Sequence, residues 1–448
     1  MISTAYRCYR YSGIEWLGDI PANWAVKRLK FVSQIASSGV WGEDPIPDVE
    51  NCRVATTANI DMQGNINTEG MTIRALSQRE LEIGQCQPGD LIVVKSSGSA
   101  TNVVSGKAGL VKEEHLPICF SNFTLRVRPT PALLDPRFLW RFLNSEVVKA
   151  QVRLMVATTT YPNLQVGEYA SFYLPVPDYE DQRAIADYLD RETARLDGLA
   201  SAKERVLGLL AEKRRALITH AVTRGLDSHA PLRDSGIPWL GKIPAHWETP
   251  PVYSRFEVQL GKMLDEKKIK GTHLAPYLRN VDVQWGTINT TDLPEMDFDD
   301  DDRVKYSLRA GDILVCEGGE VGRCAIWDGE YDECYYQKAL HRLRVVHGKD
   351  EARFFVLVMR TLVEAGVFSS QASASTIQHL PAEKLRVVRY PAPPLSEQRA
   401  IVAHISAQTT KLDALRAATE RTISLLKERR AVLIAAAVTG QLEVEGAA

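Results

Sequence analysis

Two long stretches of the chain place apolar residues at spacings of three and four, or multiples of them. The first carries Ile185, Leu189, Leu196, Leu199, Val206, Leu210 and Leu217; the second carries Ile401, Ile405, Leu412, Leu415, Leu426 and Leu433. This spacing predicts two helices with a coiled-coil seam, interrupted by Lys203 and Thr419. About 43 residues at 1.5 Å rise give each a length of roughly 65 Å. An apolar stripe of that length is costly in water, so each helix needs a partner. The other helix is the obvious one, in an antiparallel pair. Asp178 and Ser396 stand where a cap belongs, and Asp181 and Glu397 place an anion near the positive end of each helix dipole.

Elsewhere the pattern changes to short β-branched and aromatic runs broken by Gly, Pro, Asn and Asp, such as "DLIVV" and the alternation at 124–128. These predict short strands with loops and a few helices, one of them over 135–152. The order of elements repeats. "SGIEWLGDIPANW" at 12–24 returns as "SGIPWLGKIPAHW" at 235–247, ten of thirteen positions being identical. "GDLIV" at 89–93 answers "GDILV" at 311–315. From about residue 118 the offset is a constant 216: Arg126 and Arg128 meet Arg342 and Arg344, and "PVPDYEDQRAI" meets "PAPPLSEQRAI". Solenoid repeats are far shorter. The chain therefore reads as two diverged copies of one α+β unit, two pseudo-symmetric globular domains joined by two long helices in an antiparallel coiled coil. The boundaries fall at 1–178, 179–226, 227–394 and 395–442.

A length of 448 residues, 45% of them hydrophobic and 25% charged, agrees with several soluble domains. No apolar run is long enough to span a bilayer and the start lacks a signal-peptide core, so a cytoplasmic location is expected. Seven cysteines with no C-x-x-C pair argue for reduced, structural thiols. A net charge of −2 means that any DNA binding must come from a local face or from a partner.

Enzyme motifs do not hold up. "APPL" at 392–395 is near the (Asn/Asp/Ser)-Pro-Pro-(aromatic) loop of amino-methyltransferases, yet Ala392 has no acceptor and Leu395 no ring. It reads as a stiff lead into a helix. "GGEVG" and "SGKAG" miss the phosphate-binding spacings and read as turns. Glu266-Lys267-Lys268 has the shape of a nuclease site without an upstream Asp, and "DFDDDD" at 297–302 reads as a solvated acidic loop. No metal site and no catalytic constellation is expected.

The duplicated "GIxWLGxIPxxW" heads, with each copy ending in P-x-P, Gln-Arg-Ala-Ile and a long helix, closely resemble the specificity (S) subunit of type I restriction-modification systems. The resemblance covers essentially the full chain. It implies a target recognition domain in each copy, each reading one half of a split sequence in double-stranded DNA. It further implies that the helix pair sets the spacing and binds two modification subunits, with restriction subunits joining them. In that family the S subunit catalyses nothing and holds no cofactor. S-adenosylmethionine sits on the modification partner, an N6-adenine methyltransferase, and ATP with Mg on the restriction partner. Two alternatives stay open: the specificity chain of a related system with a fused nuclease-methyltransferase partner, and a stand-alone DNA-modifying enzyme.

Base edges are read by polar side chains on exposed loops. The loop after the Gly-Asp strand offers Lys95, Ser96, Ser97, Thr101 and Asn102 in one copy, and Glu317, Glu320 and Arg323 in the other. The polar run before each helix offers Thr158, Thr159, Thr160, Tyr161 and Asn163, matched by Ser373, Ser375, Thr376 and His379. Beside the aligned strand stand Asn122 and, in the second copy, Gln337 and Lys338. Trp16, Trp24, Trp239 and Trp247 are nearly invariant between copies that should read different sequences, so they are assigned to packing or to a subunit contact.

Overall fold

A computed structural model describes residues 6–47, 51–96, 104–156, 163–263, 271–368 and 379–444. The fold is mixed helix and sheet with two long helices that pack together, Tyr179–Arg224 and Leu395–Val438, here called the first and second rods. The chain forms two compact units: Met1–Glu204 with Glu420–Ala448, and Arg205–Thr419. Each unit holds one globular head, the N-terminal half of one rod and the C-terminal half of the other.

Within each head the same two sheets recur. In the first, strands Ser33–Ala36, Thr124–Pro129, Leu91–Val94 and Ala108–Leu110 lie in that spatial order, all neighbours antiparallel. The second head repeats this with Phe256–Leu260, Leu340–Val345, Ile313–Cys316 and Cys324–Ile326. A three-stranded sheet accompanies each: Thr72–Ala75, Asn51–Ala55 and Ile118–Phe120, matched by Glu295–Asp297, Leu274–Leu278 and Tyr335–Tyr336. The Gly-Asp strand is apolar at every position because both of its faces are covered. Leu91 and Val93 enter the core shared with the rods, while Ile92 and Val94 enter the core between the sheets. Ile313 and Val315, against Leu314 and Cys316, divide in the same way. The Asp of each motif is buried and takes a two-pronged guanidinium: Arg128 donates to Asp90 at 2.6 and 2.7 Å, and Arg344 to Asp312 at 2.7 and 2.7 Å. Two of the duplicated arginines are thus committed to bracing the fold.

Each head is a closed excursion from the chain. Ala25–Arg28 pairs antiparallel with Tyr173–Val176, so residues 25 and 176 are partners. Glu248 and Ala392 bridge likewise in the second unit. The Trp-bearing segments pack on rod ends. Trp24, 1% exposed, lies in one core with Ile434, Ala437 and Val438, and Trp247, 2% exposed, lies with Ile218, Ala221 and Val222. Packing, the first of the two roles expected for these tryptophans, is where the structure puts them.

Both rod pairs run antiparallel. In the first unit Arg430 meets Asp197 at 2.9 Å and Lys427 meets Glu204 at 3.7 Å; in the second Arg214 meets Asp413. Of the expected seam, Ile185, Leu189, Leu196, Ile401, Ile405 and Leu412 are buried, and Leu210, Leu217, Leu426 and Leu433 are half-buried. Leu199, Val206 and Leu415 are exposed, at 44, 38 and 56%. Spacing alone does not separate a seam from its flank, and these residues lie beyond the reach of the head cores, where two helices cover only a narrow stripe.

Three local expectations are corrected. The helix over 135–152 is two helices, Pro136–Leu143 and Glu146–Val156, interrupted where the Asn144 side chain turns to donate to Ala108 O. The acidic run is not a loop: Asp299 caps Asp300–Tyr306 by accepting from Asp302 N. Ser396 lies inside the first turn of the second rod, whose opening carbonyl is that of Pro394. Glu266, Lys267 and Lys268 lie outside the described residues.

Candidate nucleic-acid interface

The Gly-Asp strand delivers its following loop to a junction built from main-chain bonds. Lys95 N donates to Phe123 O at 3.1 Å, and Lys95 O accepts from Leu164 N at 2.6 Å. In the second head Glu317 N donates to Ala339 O at 3.0 Å, and Glu317 O accepts from Leu380 N at 2.8 Å. Three stretches chosen separately for their polarity, the post-strand loop, the 121–123 turn and the run before the rod, are therefore tied together, identically in both heads. His341 strengthens the second junction. Burial holds its pKa below the usual histidine value, so the neutral ring donates from Nε2 to Leu380 O at 2.7 Å.

A fourth stretch crosses beneath. Val40 bridges Ser121 in parallel, and Lys262 bridges Gln337. A Cβ on Gly39 would overlap the carbonyls of Phe120 and Ser121, and one on Gly261 those of Tyr336 and Gln337. Only glycine permits this approach. Gly39→Ala is expected to lower the stability of its unit by about 1–3 kcal/mol, read as a lower urea midpoint; an unchanged midpoint would show the crossing to be loose.

Side chains on this shared frame differ between heads. Lys95 is half-buried and reaches Ser37 O at 3.3 Å, Ser96 bridges Asn163, and Asn122 and Asn163 are exposed. In the second head Lys338 and His379 are exposed and Gln337 is half-buried. Arg323 is turned inward, donating from Nη2 to Asn280 O and Oδ1 at 3.0 and 3.1 Å, so it braces the loop. Glu320 accepts from Trp285 Nε1 at 2.6 Å. Ser97, Thr101, Asn102, Thr158, Thr159, Thr160, Tyr161, Ser373, Ser375 and Thr376 lie outside the described residues.

Polarity-based selection missed an aromatic edge on the first head. Trp41 and Phe123 meet at 6.2 Å between ring centroids, the Arg74 guanidinium lies 4.6 Å over Trp41, and Phe123 is 50% exposed. The available signal was an apolar residue at the tip of a Ser-Asn-Phe turn. The positions of Trp41 and Phe123 in the second head hold exposed Met263 and half-buried Ala339. Such surfaces suit the thymine methyl group, which polar residues do not read.

Among the described residues no three or more His, Cys, Asp or Glu side chains are grouped so as to hold a metal, and no described helix is long and apolar enough to cross a membrane. The seven cysteines form no disulfide, six are buried, and burial pushes the thiols of Cys86 and Cys334 up to about 12.

Two like heads, each presenting one loop frame with its own side chains and each seated on paired helices, define a duplicated recognition scaffold. Residues 244–424 match the family model of the type I restriction modification DNA specificity domain. Similarity extends along the whole chain to the specificity subunits of the EcoKI enzyme of Escherichia coli K12 and the StySPI enzyme of Salmonella potsdam. Each is 20% identical over 96% of this chain and 91% of the relative. The fold is shared with the HsdS subunit of Thermoanaerobacter tengcongensis, at a TM-score of 0.58 and 18% identity over 94% of this chain and 98% of that one. It is also shared with a chain from a structural study of complex assembly and conformational transition of the type I R-M system, at a TM-score of 0.69 and 17% identity with the same coverage. Residues 244–424 thus carry a type I restriction modification DNA specificity domain, and the chain is similar over 96% of its length to type I specificity subunits.

Proposed function

We propose that the chain reads a bipartite target in double-stranded DNA, one half per head. It catalyses nothing itself and scaffolds two N6-adenine methyltransferase subunits together with restriction subunits. The observation that carries this reading is the twin loop frame. Identical main-chain bonds hold Lys95 and Glu317 at corresponding points, while the side chains around them differ. A frame that is kept with readers that change suits two heads docking alike on DNA and recognising unlike half-sites. A helix of 46 residues is about 69 Å long, against roughly 34 Å between half-sites one helical turn apart. In this reading the recognition domains span residues 1–178 and 227–394, and the spacer segments 179–226 and 395–442 contain the rods.

In this reading S-adenosylmethionine belongs to the modification partner and ATP with Mg to the restriction partner, and the assembly works in the cytoplasm. Phosphate contacts from those partners add the sequence-independent affinity that a chain of net charge −2 does not supply. Purified chain incubated with labelled S-adenosylmethionine and DNA is expected to transfer no methyl group, and to support transfer once the modification partner is added. Transfer by the chain alone would establish a modifying enzyme instead.

A further inference from the structure

The Gln of the twice-written Gln-Arg-Ala-Ile entrance is a fully buried polar side chain, at 0% exposure in both copies. In the first unit Gln182 Oε1 accepts from Asp135 N at 2.8 Å, while Nε2 donates to Leu133 O at 3.1 Å and Pro177 O at 2.9 Å. In the second Gln398 Oε1 accepts from Glu351 N at 2.8 Å, and Nε2 donates to Lys349 O at 3.2 Å and Pro393 O at 2.9 Å. All four positions in one set correspond to those in the other at the offset of 216. The surrounding contacts do not correspond. Arg137 and Arg141 tie the first head to Asp187 and Asp190 of its rod, whereas the second head uses Glu351 with Arg399. The ion pairs around the joint have diverged, while the amide and its three bonds are kept.

An amide is the group that satisfies the site, since two carbonyls need donors and one N–H needs an acceptor. A carboxylate lacks the donors and an apolar chain lacks both. The bonds join three separate pieces: the rod's first turn, the proline lead, and the residue that opens a helix of the head, Pro136–Leu143 or Ala352–Glu364. With all three fixed, the head has no hinge against its rod. The lever arm makes this consequential: a swing of roughly 6° moves a point about 34 Å away by about one base-pair rise.

We propose that Gln182 and Gln398 are positioning residues that lock each head to its rod and thereby confine the target to one gap length. This inference rests on the bipartite reading above. It is tested in the complete complex with the modification partner, using duplexes whose half-sites are separated by the native gap or by one or two base pairs more or fewer. Gln182→Met and Gln398→Met should each raise methylation at gaps one base pair off, relative to the native gap, by at least tenfold, with base discrimination inside the half-sites kept. Gln182→Asn, which retains the amide one methylene short, should give an intermediate profile and serves where the Met variant does not accumulate. Val148→Ala, a cavity in the same head's core, should lower the melting temperature with no change in the gap profile. A Met or Asn variant that loses stability but keeps a wild-type gap profile would overturn the clamp. A wild-type complex that methylates no two-part sequence would instead remove the bipartite reading beneath it.

Discussion

Exchange of residues 25–176 for the matching segment of a specificity chain with another target will replace one half of the methylated sequence and leave the second half and the gap as they were. The cut points are set by the ladder that joins Ala25 to Val176, so both ends of the graft enter and leave at one place. Trp24 and the rod residues it packs with, Ile434, Ala437 and Val438, lie outside the exchanged segment. Loss at the old half-site should be large, because specific binding exceeds non-specific binding by about 10³ or more. Methylome sequencing of cells expressing the chimera with its partner reads both halves at once. A change in both halves would mean that the heads do not read independently. The reciprocal exchange between Glu248 and Ala392 should alter only the other half, and the pair of results would assign each head to its half-site.

The duplication, the rods and the strand-rich heads were legible because they rest on periodicity and identity, which survive in sequence. The assembly of the recognition frame was not. Lys95, Asn122 and Asn163 stand out in the sequence only by their polarity, and the bonds that gather their segments are main-chain bonds with no residue signature. Gly39 permits the crossing, but one glycine among 29 carries no mark of a close approach. Trp41 and Phe123 are rings, and the polarity that marks hydrogen-bonding readers does not mark them. Asp299 and Asp302 form a capping box that the surrounding acidic run disguised as a loop. The seam erred in its middle, where Leu199 and Leu415 keep the right spacing but have no core beneath them. Gln182 and Gln398 interrupt no apolar pattern, so their burial became visible only with their three partners.

Insertion of four helix-forming residues into both rods, after Glu204 in the first and after Thr419 in the second, will widen the gap and spare the half-sites. Each rod is one continuous helix across the insertion point, Tyr179–Arg224 and Leu395–Val438. Four residues add about 6 Å to each. At roughly 3.4 Å per base pair the added length corresponds to one to two pairs. Four residues also act as a stutter, which a coiled coil absorbs by local unwinding. Ion pairs on either side, Arg430 with Asp197 and Arg214 with Asp413, keep their own register because both strands of the pair lengthen together. Methylation at the original gap should fall by at least a hundredfold, while a wider gap with the same two half-sites appears in the methylome. Insertion into one rod alone should instead mismatch the seam and depress methylation at every gap. A doubly lengthened chain that still selects the original gap would show that spacing is set by the partner subunits, and the rods would then be scaffolds without being rulers.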